Sequence, residues 1–265
     1  MDIIKKLAQE LTIKEEQAKA AVQLIDEGNT IPFIARYRKE MTGALNDETL
    51  RNLHERLLYL RNLEEKKEQV INAITEQGKM TDDLKKKILA AETLVAVDDL
   101  YRPYRPKKQT RATKAKEKGL EPLANILLLQ ATSKSMEEEA QSFVDEAKGV
   151  TNAKEALAGA KDIIAEMIAD KADYRKSIRN CTMKQGRLVV KAKDEKAESV
   201  YEMYYDFSEE LSKITGYRVL AINRGEKEKF LTVKVEAPDA QIVNALNKTM
   251  IKDLSLIHIS EPTRP

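Results

Sequence analysis

The chain has 265 residues, 42% of them hydrophobic and 34% charged, with 5% aromatics, no tryptophan, nine glycines and a net charge of +2. That length allows one large domain or two modest ones with a sizeable core, and a charge-rich, glycine-poor composition suits long solvated helices. A balance so near neutral excludes an indiscriminately basic nucleic-acid coat, and a single cysteine, Cys181, excludes an internal disulfide and a multi-cysteine zinc site.

The first 45 or so residues read as short helices. Ile3, Ile4, Leu7 and Leu11 share one face, and Ala18, Ala21, Val22 and Ile25 share another before Gly28 stops the second helix. Pro32 then suits the first turn of a helix through "IPFIARYRKEMTG", where its missing N–H costs nothing. The longest element is expected over about 47–77, with Asp47 and Glu48 complementing the dipole of its first turn. Leu50, Leu53, Leu57, Leu60 and Leu63 form its apolar seam, which lapses at "EEKKEQ" (64–69) and resumes at Val70 and Ile74. A polar stretch of that length reads as a bridge through solvent, which predicts an elongated multi-helix array.

Thr81 caps a helix over about 82–91, and another leads from Val95 into a basic segment. Pro122, Leu123, Ile126, Leu127 and Leu129 predict a buried helix. Ser135 with Glu138, and Asn152 with Glu155, resemble capping boxes for the next two. At Gly186 the pattern changes. Strands are expected over about 186–193, 218–224 and 229–236, with helices over about 198–214 and 239–253. The fold class is therefore mainly α, with a long central helix and a small three-stranded β element near the C-terminal end. The expected organisation is a helical region 1–185 and a small α+β region 186–253. The last twelve residues, "LSLIHISEPTRP" (254–265), break the composition and resemble translated sequencing-library adapter, so the expectation there is a non-native tail on a truncated chain.

Catalysis finds no foothold. The nine glycines are scattered singly, so dinucleotide and P-loop fingerprints both fail, and no serine sits in a nucleophile elbow. His54 in "LHERLL" begins like a zinc-protease helix, but Leu58 stands where a second histidine is needed. Cys181 lacks an activating partner and reads as packing. Asp98 and Asp99 are adjacent on a helix and point about 100° apart, so they do not share a metal; an ion pair between Asp98 and Arg102 is expected instead. No cofactor is implied. The opening "MDIIKKLAQELTIKEE" has no apolar core of signal length, and no apolar run approaches a membrane span, so a cytoplasmic monomer away from membranes is expected.

Two basic stretches remain. In "IARYRKE", Arg36, Arg38 and Lys39 either touch phosphates or pair with carboxylates of neighbouring helices; pairing is the favoured reading for Arg36, three residues after Phe33. The other stretch, "YRPYRPKKQTRATKAKEK" (101–118), sets eight cations against Glu117 alone, a local charge of +7. Pro103 and Pro106 predict a stiff, extended arm braced by Tyr101 and Tyr104. Lys107, Arg111, Lys114 and Lys118 share a face if the following residues are helical. So concentrated a charge suits a nucleic-acid backbone, or else it is solvated or paired with "MEEEA" from Met136. The candidate contacts are Arg102, Arg105, Lys107, Lys108, Arg111 and Lys114.

"IPFIARYRKEMTG", "DLYRPYRPKKQTRATKAKEKGLEPLA" and "YEMYYDFSEELSKITGYRVLAINRGEKEKFLTVKVE" together resemble the Tex family of bacterial transcription accessory proteins, over most of residues 1–253. The resemblance implies a helical N-terminal region followed by an RNase H-like domain generally regarded as lacking nuclease activity, helix-hairpin-helix motifs and a C-terminal OB-fold RNA-binding module. It also implies likeness to eukaryotic elongation factors that act as histone chaperones. This chain departs from the pattern by stopping before the three later modules. The expected function is a non-catalytic scaffold of an RNA- or DNA-binding transcription accessory protein. The alternative is a docking module for the transcription machinery, or for the parent's remaining domains.

Overall fold

The computed structural model describes residues 2–106, 108–130 and 134–251; the tail 254–265 and the candidate contact Lys107 lie outside them. The described residues hold thirteen α-helices and one three-stranded sheet near the C-terminal end, a mainly α fold as expected. They fall into two compact units, Met1–Arg105 and Pro106–Pro265, so the division comes well before the expected 185/186 boundary. The change of pattern at Gly186 marks a change of element and a new small core, but helices on either side of it pack together within the second unit.

In the first unit, α1 (Ile3–Leu11), α2 (Glu15–Asp26), α3 (Ile31–Tyr37), α5 (Asp82–Ala90) and α6 (Leu94–Tyr101) pack on the thirty-residue α4 (Asp47–Glu76). The caps follow the sequence. Asn46 accepts from the Thr49 N–H at 2.7 Å, Thr81 from Leu84 at 3.2 Å, and Pro32 occupies the first turn of α3. Arg56 grips Glu10 through two bonds of 2.6 and 2.8 Å, tying α4 to α1, and Arg61 grips Asp26 at 2.7 and 2.8 Å, tying α4 to α2. The guanidinium bonds hold both carboxyls below their usual range. Their small stabilisation is complete above the ordinary carboxylate pKa and is lost as pH falls through the lowered values.

The polar lapse in α4 is not a bridge through solvent. The buried seam runs Leu50, Leu53, Leu57, Leu60, Leu63, Lys67, Val70, Ile74 without a break. Lys67 is only 2% exposed; its stem fills a seam position while Nζ donates to the Leu89 carbonyl and to Glu64, each at 2.9 Å. An amphipathic side chain thus completes an apolar stripe because α5 ends where its ammonium needs an acceptor. Lys67→Met, which keeps the stem, should alter stability by less than about 1.5 kcal/mol. Lys67→Glu, which sets a carboxylate against Glu64 and a carbonyl, should cost roughly 3–5 kcal/mol. Urea unfolding of both variants checks this.

In the second unit, α7 (Arg111–Glu117), α8 (Glu121–Leu129) and α9 (Met136–Gln141) pack on α10 (Ala153–Asp170). The box between Ser135 and Glu138 forms as read. At α10, Asn152 caps Glu155 at 2.9 Å, but the Glu155 carboxylate reaches back to the Thr151 N–H instead of to Asn152. Helix α11 (Ala172–Gln185) leads into β1 (Arg187–Ala192), the central strand, flanked by antiparallel β2 (Asp206–Glu210) and β3 (Leu231–Glu236). Register sets Val190 opposite Phe207 and Val233.

The two middle assignments exchange places. The helix expected over 198–214 is a 3₁₀ turn followed by β2, and the strand expected over 218–224 lies in α12 (Gly216–Lys227). The run "VLAI" is too short for periodicity to separate strand from helix, and tertiary packing decides. Ile222 and Gly225 face the sheet while Leu220 is exposed. A Cβ on Gly225 would sit 2.6 Å from Leu231 Cδ1, so the glycine is what lets α12 lie against β3. The remaining helix, α13 (Asp239–Met250), packs on α11.

Candidate nucleic-acid interface

The basic segment divides between the units: Arg102 and Arg105 belong to the first, Lys108, Arg111 and Lys114 to the second. The arm expected to be extended from Tyr101 to Pro106 is instead a 3₁₀ turn at Arg102–Tyr104, continuing α6, and only Arg105 returns to extended backbone. Pro103 accounts for the change, because its fixed φ suits the first turn of a helix as well as a polyproline arm. Tyr101 and Tyr104 brace the turn as expected, half-buried against the first unit's core, and Gln77 donates to the Tyr104 carbonyl at 3.0 Å. Arg102 and Arg105 are exposed. Asp98 does form an ion pair, with Arg105 at 3.1 Å and with Lys66 at 3.7 Å, and the Arg105 guanidinium lies 5.5 Å from the Tyr101 ring centre.

In the second unit the segment becomes α7 because Thr110 and Thr113 cap its start reciprocally, Thr113 N–H to Thr110 Oγ1 at 3.1 Å and Thr110 N–H to Thr113 Oγ1 at 3.0 Å. Ala112 and Ala115 are buried against α10. Close approach is possible there because Gly159 has no side chain: a Cβ on it would clash with Leu120 Cδ1 and meet Ala115 Cβ at 3.2 Å. With two alanines inward, Arg111, Lys114 and Lys118 are left on the solvent side. Lys107 lies outside the described residues, so of the expected four-residue basic face these three are seen.

The cations differ in how they are held. Arg111 is 3.8 Å from Asp162 with its side chain 88% exposed, Lys116 is 3.2 Å from Glu121, and Lys118 donates to the Gly149 carbonyl at 2.7 Å. Among the described residues, no carboxylate lies within ion-pair distance of Lys108 or Lys114. Asp98, Asp162 and Glu121 are therefore surface partners that a polyanion can displace, and none of the segment's described cations is buried.

The second basic stretch departs from its favoured reading. Arg36, Arg38 and Lys39 are all exposed, and among the described residues none has a carboxylate partner. The face of α3 that bears Phe33 is open, because Ile34, with Ile31 and Ala35 beside it, is what turns into the core. Sequence reasoning missed this because a Phe–x–x–Arg spacing fits a buried face and an open one equally.

No group of three or more metal-ligating side chains occurs among the described residues, and no described helix is long and apolar enough to cross a membrane. His54 is half-buried beside the leucine seam, and Cys181 lies half-buried on α11 in a groove shared with Ile242 and Leu246.

Residues 1–75 match the family model described as Tex-like protein N-terminal domain, and residues 131–263 match Tex central region-like, the latter running into the stretch 254–265. The chain belongs to the Tex family. Among Tex relatives, the transcriptional accessory protein Tex of Neisseria gonorrhoeae is 41% identical over 239 residues, 89% of this chain and 31% of its own length. An uncharacterized Bacillus subtilis protein is 44% identical over 252 residues, 94% of this chain and 35% of its own. The human S1 RNA-binding domain-containing protein 1 is 32% identical over 248 residues, 90% of this chain and 24% of its own. The chain thus spans about a third or less of the length of these Tex relatives.

Proposed function

We propose that the chain is the N-terminal scaffold portion of a non-catalytic, nucleic-acid-binding transcription accessory protein of the cytoplasm, and that segment 101–118 is a phosphate-contact surface. The observation that carries this reading is α7: an inner face of alanines seats it on α10, and its outer face presents Lys114 without a carboxylate and Arg111 with a displaceable one. The names of the gonococcal and human relatives, which speak of transcription and of RNA binding, agree with it. Arg102, Arg105, Lys107, Lys108, Arg111 and Lys114 would neutralise phosphates without reading bases, so RNA and DNA are both admitted.

Six such contacts give a log–log salt slope of about −4 on single strands and about −5 on duplex. Fluorescence anisotropy with oligonucleotides of differing sequence should return slopes at least this steep and nearly equal affinities; flat salt dependence would overturn the reading. A second reading, docking onto an acidic protein surface, draws on the existing Arg105–Asp98 and Arg111–Asp162 contacts, since guanidinium groups pair readily with carboxylates. Capture of polymerase subunits after nuclease treatment, with no affinity for oligonucleotides, would favour it.

A further inference from the structure

We infer that the exposed face of α3 and the turn after it form a second contact, a stacking platform for the unpaired bases of single-stranded nucleic acid. This rests on the nucleic-acid reading above for its class of ligand but on none of the same residues. Phe33 and Tyr37 are one helical turn apart, with ring centres 5.3 Å apart, and are 36% and 66% exposed. Met41, 52% exposed, follows in the turn. Side chains of this kind on a surface are a patch, not stray apolar groups. Arg38 already lies over the Phe33 ring at 5.2 Å, so the ring offers the face on which a planar cation or base stacks.

Charge selects the partner. Arg36, Arg38 and Lys39 lie in the same stretch as the rings, exposed and without a carboxylate partner among the described residues, and Glu40 is the one acid within 33–41. Aromatic faces flanked by unpaired cations match a strand that offers bases and phosphates together. An acidic peptide would use the cations but not both rings.

The platform is also held still. Ile34 anchors α3 in the core. The turn after it is pinned by Gln17, whose Nε2 donates to the Gly43 carbonyl at 2.9 Å and the Thr42 carbonyl at 3.3 Å. Thr42 is fully buried, and its hydroxyl donates to the carbonyls of Arg38 and Lys39, each at 3.3 Å. Gly43 and Ala44 both take positive φ, which closes the turn tightly. Little ordering is left to occur on binding.

The test uses the whole chain with labelled single-stranded U20 and a 20-base-pair duplex as probes. Phe33→Ala with Tyr37→Ala should weaken single-strand binding about 10- to 100-fold and leave duplex binding within about threefold. Tyr37→Ala alone, at the more exposed position, should show a smaller loss with an unchanged melting temperature. Arg36→Glu with Arg38→Glu should weaken both probes and flatten the single-strand salt slope by about 1.4. Unchanged single-strand affinity in the aromatic variant overturns this inference even if charge reversal in segment 101–118 abolishes binding, and leaves the earlier reading intact. Loss in the aromatic variant with no loss on charge reversal does the opposite. If polyglutamate binding falls in these variants while oligonucleotide binding does not, the patch serves an acidic protein and the inference fails. It fails equally if the wild-type chain binds neither probe.

Discussion

Changing Lys108, Arg111 and Lys114 together to glutamate is expected to lower nucleic-acid affinity by about 100-fold or more near physiological salt. Non-specific binding is supplied almost wholly by phosphate contacts and has a dissociation constant of roughly 10⁻⁴ to 10⁻⁶ M. Removing three of six contacts should therefore remove about half of the logarithm of the affinity, and the three new carboxylates repel the strand besides. The fold should survive, because all three side chains are exposed and the inner face of α7 is Ala112 and Ala115. Arg111 gives up only a long contact to Asp162. Circular dichroism melting beside the binding titration separates the two outcomes. A variant that melts as the wild type does and binds 100-fold more weakly is the expected result.

The second large effect is on stability. Leu57→Ala should destabilise the first unit by about 2–5 kcal/mol, because Leu57 is 1% exposed midway along the seam on which the unit's other helices pack. For a unit of this size each kcal/mol shifts the melting temperature by about 4–8 °C, so a drop on the order of 10 °C or more should be seen by calorimetry. The second unit has cores of its own, around Ala160 and around Val190, and its transition should not follow. A single transition shifted as a whole would mean that the two units melt together.

Much of this architecture was legible because it is local. The seam of α4, the caps at Thr81 and Ser135, the stop at Gly28 and the strands β1 and β3 follow from spacing and hydrogen-bonding chemistry within a few residues. What escaped was settled at long range. Lys67 reads as a solvated charge until Leu89, far along the chain, supplies its acceptor. The strand expected over 218–224 is instead part of α12, which packs on β3 where Gly225 admits Leu231, and the helix expected over 198–214 gives way to β2, which pairs with β1. The division after Arg105 was hidden because the basic segment that spans it reads as one continuous motif.

The candidate site shows the same split. The cations of 101–118, and the exposure of those among the described residues, follow from composition and from helical spacing around Ala112 and Ala115. Which of them meet a carboxylate does not, since Asp162 reaches Arg111 only through the packing of α7 on α10. At α3 the sequence named Arg36, Arg38 and Lys39 but favoured the wrong partner for Arg36. Openness on that face depends on which neighbouring helices fail to cover it, and no residue of α3 encodes that.

One measurement bears on the central claim most directly: the slope of log affinity against log salt for a single-stranded oligonucleotide, compared between the wild-type chain and the triple glutamate variant. The six phosphate contacts of segment 101–118 contribute about −4 to the wild-type slope, and the loss of three predicts a slope flatter by about 2 in the variant. Equal slopes in the two proteins would mean that these cations release no counterions on binding, and that segment 101–118 is not where the strand lies.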